Sequence, residues 1–429
     1  METIPTGKLS RLRVYGSMAG KVGYNKLKSK VTKTTQQELD AQNSKVIFEA
    51  LTKLRGTALK FAQMLSVEDM MLTEEYKKQL HKSTYRVKPL NRAIVRKTIK
   101  NELENYPEKI FATFDTQAFA AASLGQVHKA EDSEGNQLAI KMQYPGIDET
   151  LRHDMSMIKV AYKMIPHSPL VEDMLDEVDE IISKEVDYIA EAKHLEWFTQ
   201  KMGHLDIVLP KVYHNYSSDK VLAMEYLEGK HLDTWLETKP SQEVRNRVAQ
   251  KLFELYCYSF FELKTFQADS NIGNYLFMEN EKIAFLDFGC IKRVPDTFPP
   301  AVIDLVDASI AQDREAILKA YISLKMLTGE DDKAFEKYYE EVFVPYSEWT
   351  AKPYREESFH FSVEKDFASS AMSANLIMGK AKEFRVQSSD YVYFSRGLYG
   401  LYKIFEQMDV TIELKSRLEK YRIHVNLRN

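Results

Sequence analysis

Asp269 and Asn274 stand five residues apart in FQADSNIGNYLF (266–277), and Asp287 comes thirteen residues after Asn274, in IAFLDFG (283–289). Two carboxylates and an amide carbonyl are hard oxygen donors, a set that suits Mg2+ when waters and phosphate oxygens complete its shell. D-x-x-x-x-N followed by a hairpin and D-F-G is the spacing of phosphoryl-transfer sites. There the first aspartate orients or deprotonates the acceptor, while the asparagine and second aspartate hold metal. D-F-G alone is common by chance; the ordered combination is not.

Lys141 ends the apolar alternation LAIK. An ammonium on such a strand is costly to bury unless an anion meets it, and a strand lysine of the form x-A-I-K neutralises nucleotide phosphates in the same chemistry. The plain alternative is an edge strand that alternates Lys with apolar residues. Just upstream, AFAAASLGQVH (118–128) places Ala120, Ala121, Ala122 and Ser123 where a phosphate-covering loop would turn between strands. Small residues let backbone approach phosphate oxygens, but alanine lacks the freedom of glycine at positive φ, so this loop is expected to be stiffer than G-x-G-x-x-G. A small-residue turn packed under a helix is the competing reading. Glu185, Asp187 and Glu191 stand at i, i+2 and i+6, either as the wet face of a helix or as partners for the lysines.

The elements that must position these groups follow from pattern. Residues 37–66 carry Ile47, Leu51, Leu54, Ala58 and Leu65 at helical spacing, the mark of an amphipathic helix. A shorter helix is expected over 68–83, and another over 89–104, opening at Pro89 and Asn91. From 111 the texture changes: GQVHKAE and QLAIKMQ alternate around Gly135-Asn136, as a hairpin would. Helical pattern returns over 148–201. Two strand-like runs then flank Ser217-Ser218-Asp219, and after 241 nearly everything reads as helix except NYLFMENEKIAFLDFG, a hairpin turned at Glu279 to Glu281. The expected class is α+β, a two-lobed protein-kinase-like fold with a small antiparallel-sheet N-lobe, a helical C-lobe and an extra N-terminal helical extension, the site lying between the lobes.

This combination, with KEVDYIAEAKH and ALKFAQMLS, resembles the UbiB/AarF family of atypical kinase-like proteins over most of the chain. The resemblance implies that Ala120 to Ala122 form the family's Ala-rich loop, that Glu191 pairs with Lys141, and that the backbone of Glu225, Tyr226 and Leu227 in MEYLEG meets adenine at a hinge. It implies that Lys60 and Gln63, in Lys60-Phe61-Ala62-Gln63, belong to a K-x-G-Q signature that folds over the site, near Glu185 and Asp187. Two departures stand out: Ala62 replaces the signature glycine, and the family's F-H-A-D-P-H-P-G-N reads FQADSNIGN, without either histidine. ATP or ADP and Mg2+ are the implied cofactors. The implied activity is that of an ATPase or a small-molecule or lipid kinase supporting isoprenoid-quinone synthesis or lipid homeostasis.

Composition bounds the rest. With 429 residues, 44% hydrophobic, the chain can bury a large core. Two cysteines, Cys257 and Cys290, form no C-x-x-C pair, so neither a disulfide framework nor a zinc site is expected. No apolar run is long enough to span a bilayer and no signal-like segment opens the chain, so the expected location is the cytoplasm, or peripheral at a membrane. Residues 1–33 hold eight basic side chains against Glu2, a charge of +7 that leaves −11 for the rest of a −4 chain. Such an arm either holds an anionic membrane surface or a lipid- or quinone-like small molecule, or is simply solvated. Only Tyr15 and Tyr24 interleave it, so nucleic acid is not expected. The expected organisation is a basic arm (1–36), a helical extension (37–110), an N-lobe (111–227) and a C-lobe (228–429). After Arg293 the chain runs almost directly into helix, with no A-P-E element and no platform for a peptide. A weakly active or inactive nucleotide-binding scaffold and a protein kinase acting in trans are the alternatives.

Overall fold

The computed structural model describes residues 8–32, 42, 46, 90–122, 124–162, 179, 183–267, 272–329, 333–364, 366–370, 377 and 388–426. The helices expected over 37–66 and 68–83, with Lys60 and Gln63, lie outside these residues, as do Ser123 and Asp269. The chain divides into two compact units, one spanning Met1–Ile189 and Tyr213–Glu225, the other Ala190–Val212 and Tyr226–Asn429. The fold is α+β: an antiparallel sheet in the first unit and a mainly helical second unit.

In the first unit, β1 (Thr113–Phe114), β2 (Ala120–Ala122), β3 (Gly125–Glu131), β4 (Gln137–Gln143) and, far along the chain, β6 (Val221–Glu225) form one sheet in the order β1-β3-β4-β6, with β2 also on β3. The expected hairpin is β3–β4. Gly135 takes φ +86° at its turn, a conformation open to glycine, and the Asp132 carboxylate accepts from the backbone N–H groups of Glu134 and Asn136 at 2.9 Å. Period-two alternation sends Leu138, Ile140 and Met142 to one face, where they are fully buried with Val95, Ile99 and Phe111. Lys141 and Gln143 therefore belong to the opposite face. The helix α2 (Arg92–Leu103) covers the core face with Val95 and Ile99, and the side chain of Asn91 caps it by accepting from the N–H of Ala93.

The basic N-terminus is more than an arm. It contains a 25-residue helix, α1 (Lys8–Thr32), and Tyr15, Met18 and Val22 on it are buried. Their i, i+3, i+7 spacing makes one face, and Tyr15 Oη donates to Asp154 Oδ1 at 2.9 Å, where Asp154 sits on α4 (Ile147–Tyr162). The solvated-arm reading is thus corrected for this face: three apolar side chains within a strongly basic run suffice to dock it.

The second unit takes in most of α5 (Tyr188–Met202), and with it residues 190–212 that the sequence division assigned to the N-lobe. β8 (Tyr275–Phe277) and β9 (Ile283–Phe285) make the second expected hairpin, turned at Glu279–Glu281. Arg247 of α7 (Gln242–Cys257) grips Glu281 with two nitrogens at 2.8 and 2.6 Å. β5 (Ile207–Val208) joins β9 in parallel and β6 pairs with β4, while the end of the first strand-like run meets the second where Tyr213 N donates to the carbonyl of Ala223 at 2.9 Å. β7 (Thr265–Gln267) pairs antiparallel with β10 (Ile291–Arg293). α7 and α12 (Ser389–Met408) contribute Leu252, Phe253, Tyr402 and Phe405 to a large core, next to an unanticipated strand pair, β11 (Ser358–His360) with β12 (Thr411–Glu413).

Candidate functional site

In the first unit a row of paired residues crosses the sheet: Ala120 opposite Val127, Val127 opposite Lys141, Lys141 opposite Leu222. The small-residue segment is therefore a short strand, two strands away from the lysine. The β2–β3 connection is tight: Ala122 pairs with Gly125, and a Cβ on Gly125 would collide with the carbonyl oxygen of Met142 and lie 3.2 Å from Tyr188 Oη. Only glycine lets β3 approach β4 at this point.

Lys141 Nζ stands 5.0 Å from the centre of the Tyr188 ring, within cation–π range. Two residues along β4, Gln143 Nε2 donates to the carbonyl of Val186 at 2.6 Å, and Gln143 is itself buried. Glu185, half-buried, and Asp187, exposed, flank that pinned carbonyl. The structure thus ties Glu185-Val186-Asp187 to the lysine's strand through its backbone. Neither Gln143 nor Tyr188 was singled out from sequence. Tyr188 lies one turn before Glu191, and Gln143 two residues beyond Lys141, so helix and strand periodicity held the signal.

Glu191 is 1% exposed. Burial of a carboxylate to this degree demands partners of opposite charge or hydrogen-bond donors, which excludes the wet-face reading for this residue. Glu225 ends β6 as an exposed residue, and Tyr226 and Leu227 are half-buried; the boundary between the two units falls between Glu225 and Tyr226.

In the second unit the hairpin brings Asn274 and Asp287 together in chain terms. Asn274 directly precedes β8, Asp287 is the second residue after β9, and Leu286 N donates to the carbonyl of Asn274 at 2.9 Å. The two residues thus flank the same open end of the hairpin. Asn274 is buried and Asp287 half-buried. Asp287 Oδ1 accepts from Gly289 N at 2.9 Å, and its carbonyl accepts from Gln267 Nε2 at 2.9 Å. Phe288 is fully buried, 5.1 Å from the Phe198 ring and 4.5 Å from Phe285. Among the described residues no three His, Cys, Asp or Glu side chains gather to hold a metal by protein alone. One amide oxygen and one carboxylate fit a cation that takes its remaining ligands from water and phosphate, as Mg2+ does.

Gln267 occupies the first histidine position of the pattern F-H-A-D, and its amide supplies an N–H to the Asp287 carbonyl without any titrating group. Directly before it, a π-helical turn (Tyr258–Glu262) ends α7, and Ser259 Oγ donates to the carbonyl of Thr265 at 2.7 Å. After Arg293 the chain is held short: Val294 N donates to Lys264 O at 2.9 Å, Lys264 Nζ pairs with Asp296 at 2.7 Å, and the helix Phe298–Ala311 follows at once.

A sheet with a strand lysine and a hairpin leading into D-F-G define a kinase-like protein. The ABC1 atypical kinase-like domain matches residues 82–321, and the chain belongs to that family. It is 30% identical over 382 residues to the atypical kinase COQ8B, mitochondrial, of Danio rerio, covering 84% of this chain and 60% of that protein. It is 31% identical over 353 residues to the Rattus norvegicus protein of the same name, covering 77% of this chain and 66% of that one. The chain therefore spans less than two thirds of these curated relatives. Among solved structures it is similar in fold to that described as the complex structure of Rv3197-erythromycin from Mycobacterium tuberculosis. The TM-score is 0.60 at 23% identity, with 92% of this chain and 98% of the other covered.

Proposed function

We propose that the chain binds ATP or ADP with Mg2+ and acts as an ATPase or as a kinase for a small-molecule or lipid acceptor. The observation that carries this reading is the Asn274–Asp287 pair at the open end of one hairpin, with a D-F-G turn whose backbone is held at Asp287 and Gly289. Mg2+ held there would neutralise charge building on the transferred phosphoryl group. In this reading Lys141 and Glu191 orient the phosphates, Ala120 to Ala122 with Ser123 cover them, and Glu225 to Leu227 meet adenine with their backbone. Asp269 orients or deprotonates the acceptor. Lys60 and Gln63, with Glu185 and Asp187, close the site against a protein substrate.

The short segment between Arg293 and Phe298 supports a small acceptor, because a peptide substrate needs an extended platform at this place. The family resemblance adds isoprenoid-quinone synthesis or lipid homeostasis as the setting, and relatives named as mitochondrial add an organelle as one compartment. No helix among the described residues is long and apolar enough to cross a membrane, which fits a peripheral attachment through the basic N-terminal segment. The reading is tested by ATP turnover with and without Mg2+, beside Lys141→Ala and Asp269→Asn. Mg2+-dependent turnover lost in both variants supports it, and nucleotide binding with no turnover favours a scaffold, the reading that the departure from F-H-A-D-P-H-P-G-N motivates.

A further inference from the structure

Besides Glu191, α5 carries two residues that reach the D-F-G turn. His194, one turn further on, places Nδ1 3.1 Å from the carbonyl oxygen of Phe288. A carbonyl only accepts, so the imidazole proton resides on Nδ1. One turn beyond, Phe198 packs against the Phe288 ring at 5.1 Å. Glu191, His194 and Phe198 fall at i, i+3 and i+7, a single stripe of the helix, and Glu191 and Phe198 are both 1% exposed.

Successive backbone groups of the turn are thereby held by different elements: Asp287 O by Gln267 of β7, Phe288 O by His194 of α5, and Gly289 N by the Asp287 side chain itself. The peptide between Phe288 and Gly289 carries both the oxygen that His194 holds and the N–H that donates to Asp287 Oδ1, so it cannot rotate without breaking one of these bonds, and it sets the direction of the Asp287 carboxylate. We propose that His194 is a positioning residue for the metal site, hitching the helix that bears Glu191 to the backbone that aims Asp287. Its donor role, not its ring, is what the site requires. The proposal rests on the reading of Asp287 as a Mg2+ ligand.

The consequence is that the Mg2+ requirement of nucleotide binding depends on a donor at position 194. Partners one bond removed from a metal ligand typically change metal affinity by about 10- to 100-fold. Asparagine places an amide N–H close to where His Nδ1–H stands, aspartate has the same shape with acceptors only, and leucine has neither.

The test is a Mg2+ titration of the ADP-induced thermal shift of the full chain, comparing wild type with His194→Asn, His194→Asp and His194→Leu. We expect the Mg2+ concentration for half the shift to be near wild type in His194→Asn and raised at least about tenfold in His194→Asp and His194→Leu. Should His194→Leu fail to fold, the Asn and Asp variants, matched in size, still decide. Equal Mg2+ requirement in Asn and Asp variants, or a wild-type requirement in His194→Leu, overturns the positioning role while leaving the metal site standing. Absence of any Mg2+-dependent shift in the wild type overturns the metal-site reading itself, and this proposal with it.

Discussion

Lys141 Nζ lies 5.0 Å from the centre of the Tyr188 ring, on the residue that opens α5, the helix of Glu191. The ring faces a cation whose strand is also tied to Val186 through Gln143, so the lysine is held before any phosphate arrives. A cation–π contact contributes about 0.5–2 kcal/mol, depending on desolvation. Tyr188→Leu should weaken ADP binding severalfold by calorimetry, whereas Tyr188→Phe should bind nearly as wild type. Equal loss in both variants would assign the effect to the hydroxyl instead of the ring.

Gly125 fixes the spacing of β3 and β4 next to this lysine. Gly125→Ala forces a methyl against the Met142 carbonyl, and overpacking against backbone costs about 1–3 kcal/mol. The expected outcome is a lower midpoint of thermal unfolding together with weaker nucleotide binding. A variant as stable as wild type would show that the strands give way without cost.

His128 provides a pH dependence. Burial lowers its pKa below the ordinary 6.5, only partly offset by the hydrogen bond to the Asp115 carbonyl and by the Asp115 charge. Its Nε2 faces the Gln126 amide at 2.7 Å, and Gln126 Oε1 accepts from Leu90 N at 2.9 Å. The unfolded chain takes up the proton first as pH falls, near 6.5, while the folded chain resists to lower pH. This contribution to stability is therefore whole above about pH 6.5 and is lost as pH falls through the window between 6.5 and the lowered folded value. Denaturant unfolding of wild type across that window should show the slope, and His128→Asn, which keeps a donor for the Asp115 carbonyl, should flatten it.

Gln267 turns a departure from the family pattern into a prediction. If its amide replaces the histidine as a donor to the Asp287 carbonyl, Gln267→His should retain Mg2+-dependent nucleotide binding and Gln267→Leu should raise the Mg2+ requirement by about tenfold or more. Comparable behaviour of the two variants in a Mg2+ titration would remove this bond from the account.

Much of this was legible because it is local. Gly135-Asn136 and Glu279 to Glu281 announce their hairpins by turn chemistry, Asn91 announces α2 by its cap, and the spacing of Asn274 and Asp287 is the length of a hairpin. The links that position the site were not legible, because they join residues distant in sequence: Gln143 to Val186, His194 to Phe288, and β5 to β9. The basic N-terminus was read through its charge, which hid the stripe of Tyr15, Met18 and Val22 that docks α1. The π-helical turn before β7 and the β11–β12 pair left no local signature.

The most direct measurement is the thermal shift of the purified chain with ADP, with and without Mg2+, beside Asp287→Ala. A ligand that binds only the native state raises stability by RT ln(1 + [L]/Kd), about 2.7 kcal/mol at a hundredfold excess over Kd. The account predicts a shift that requires Mg2+ and disappears in Asp287→Ala. A shift indifferent to Mg2+, or one that Asp287→Ala retains in full, would contradict it.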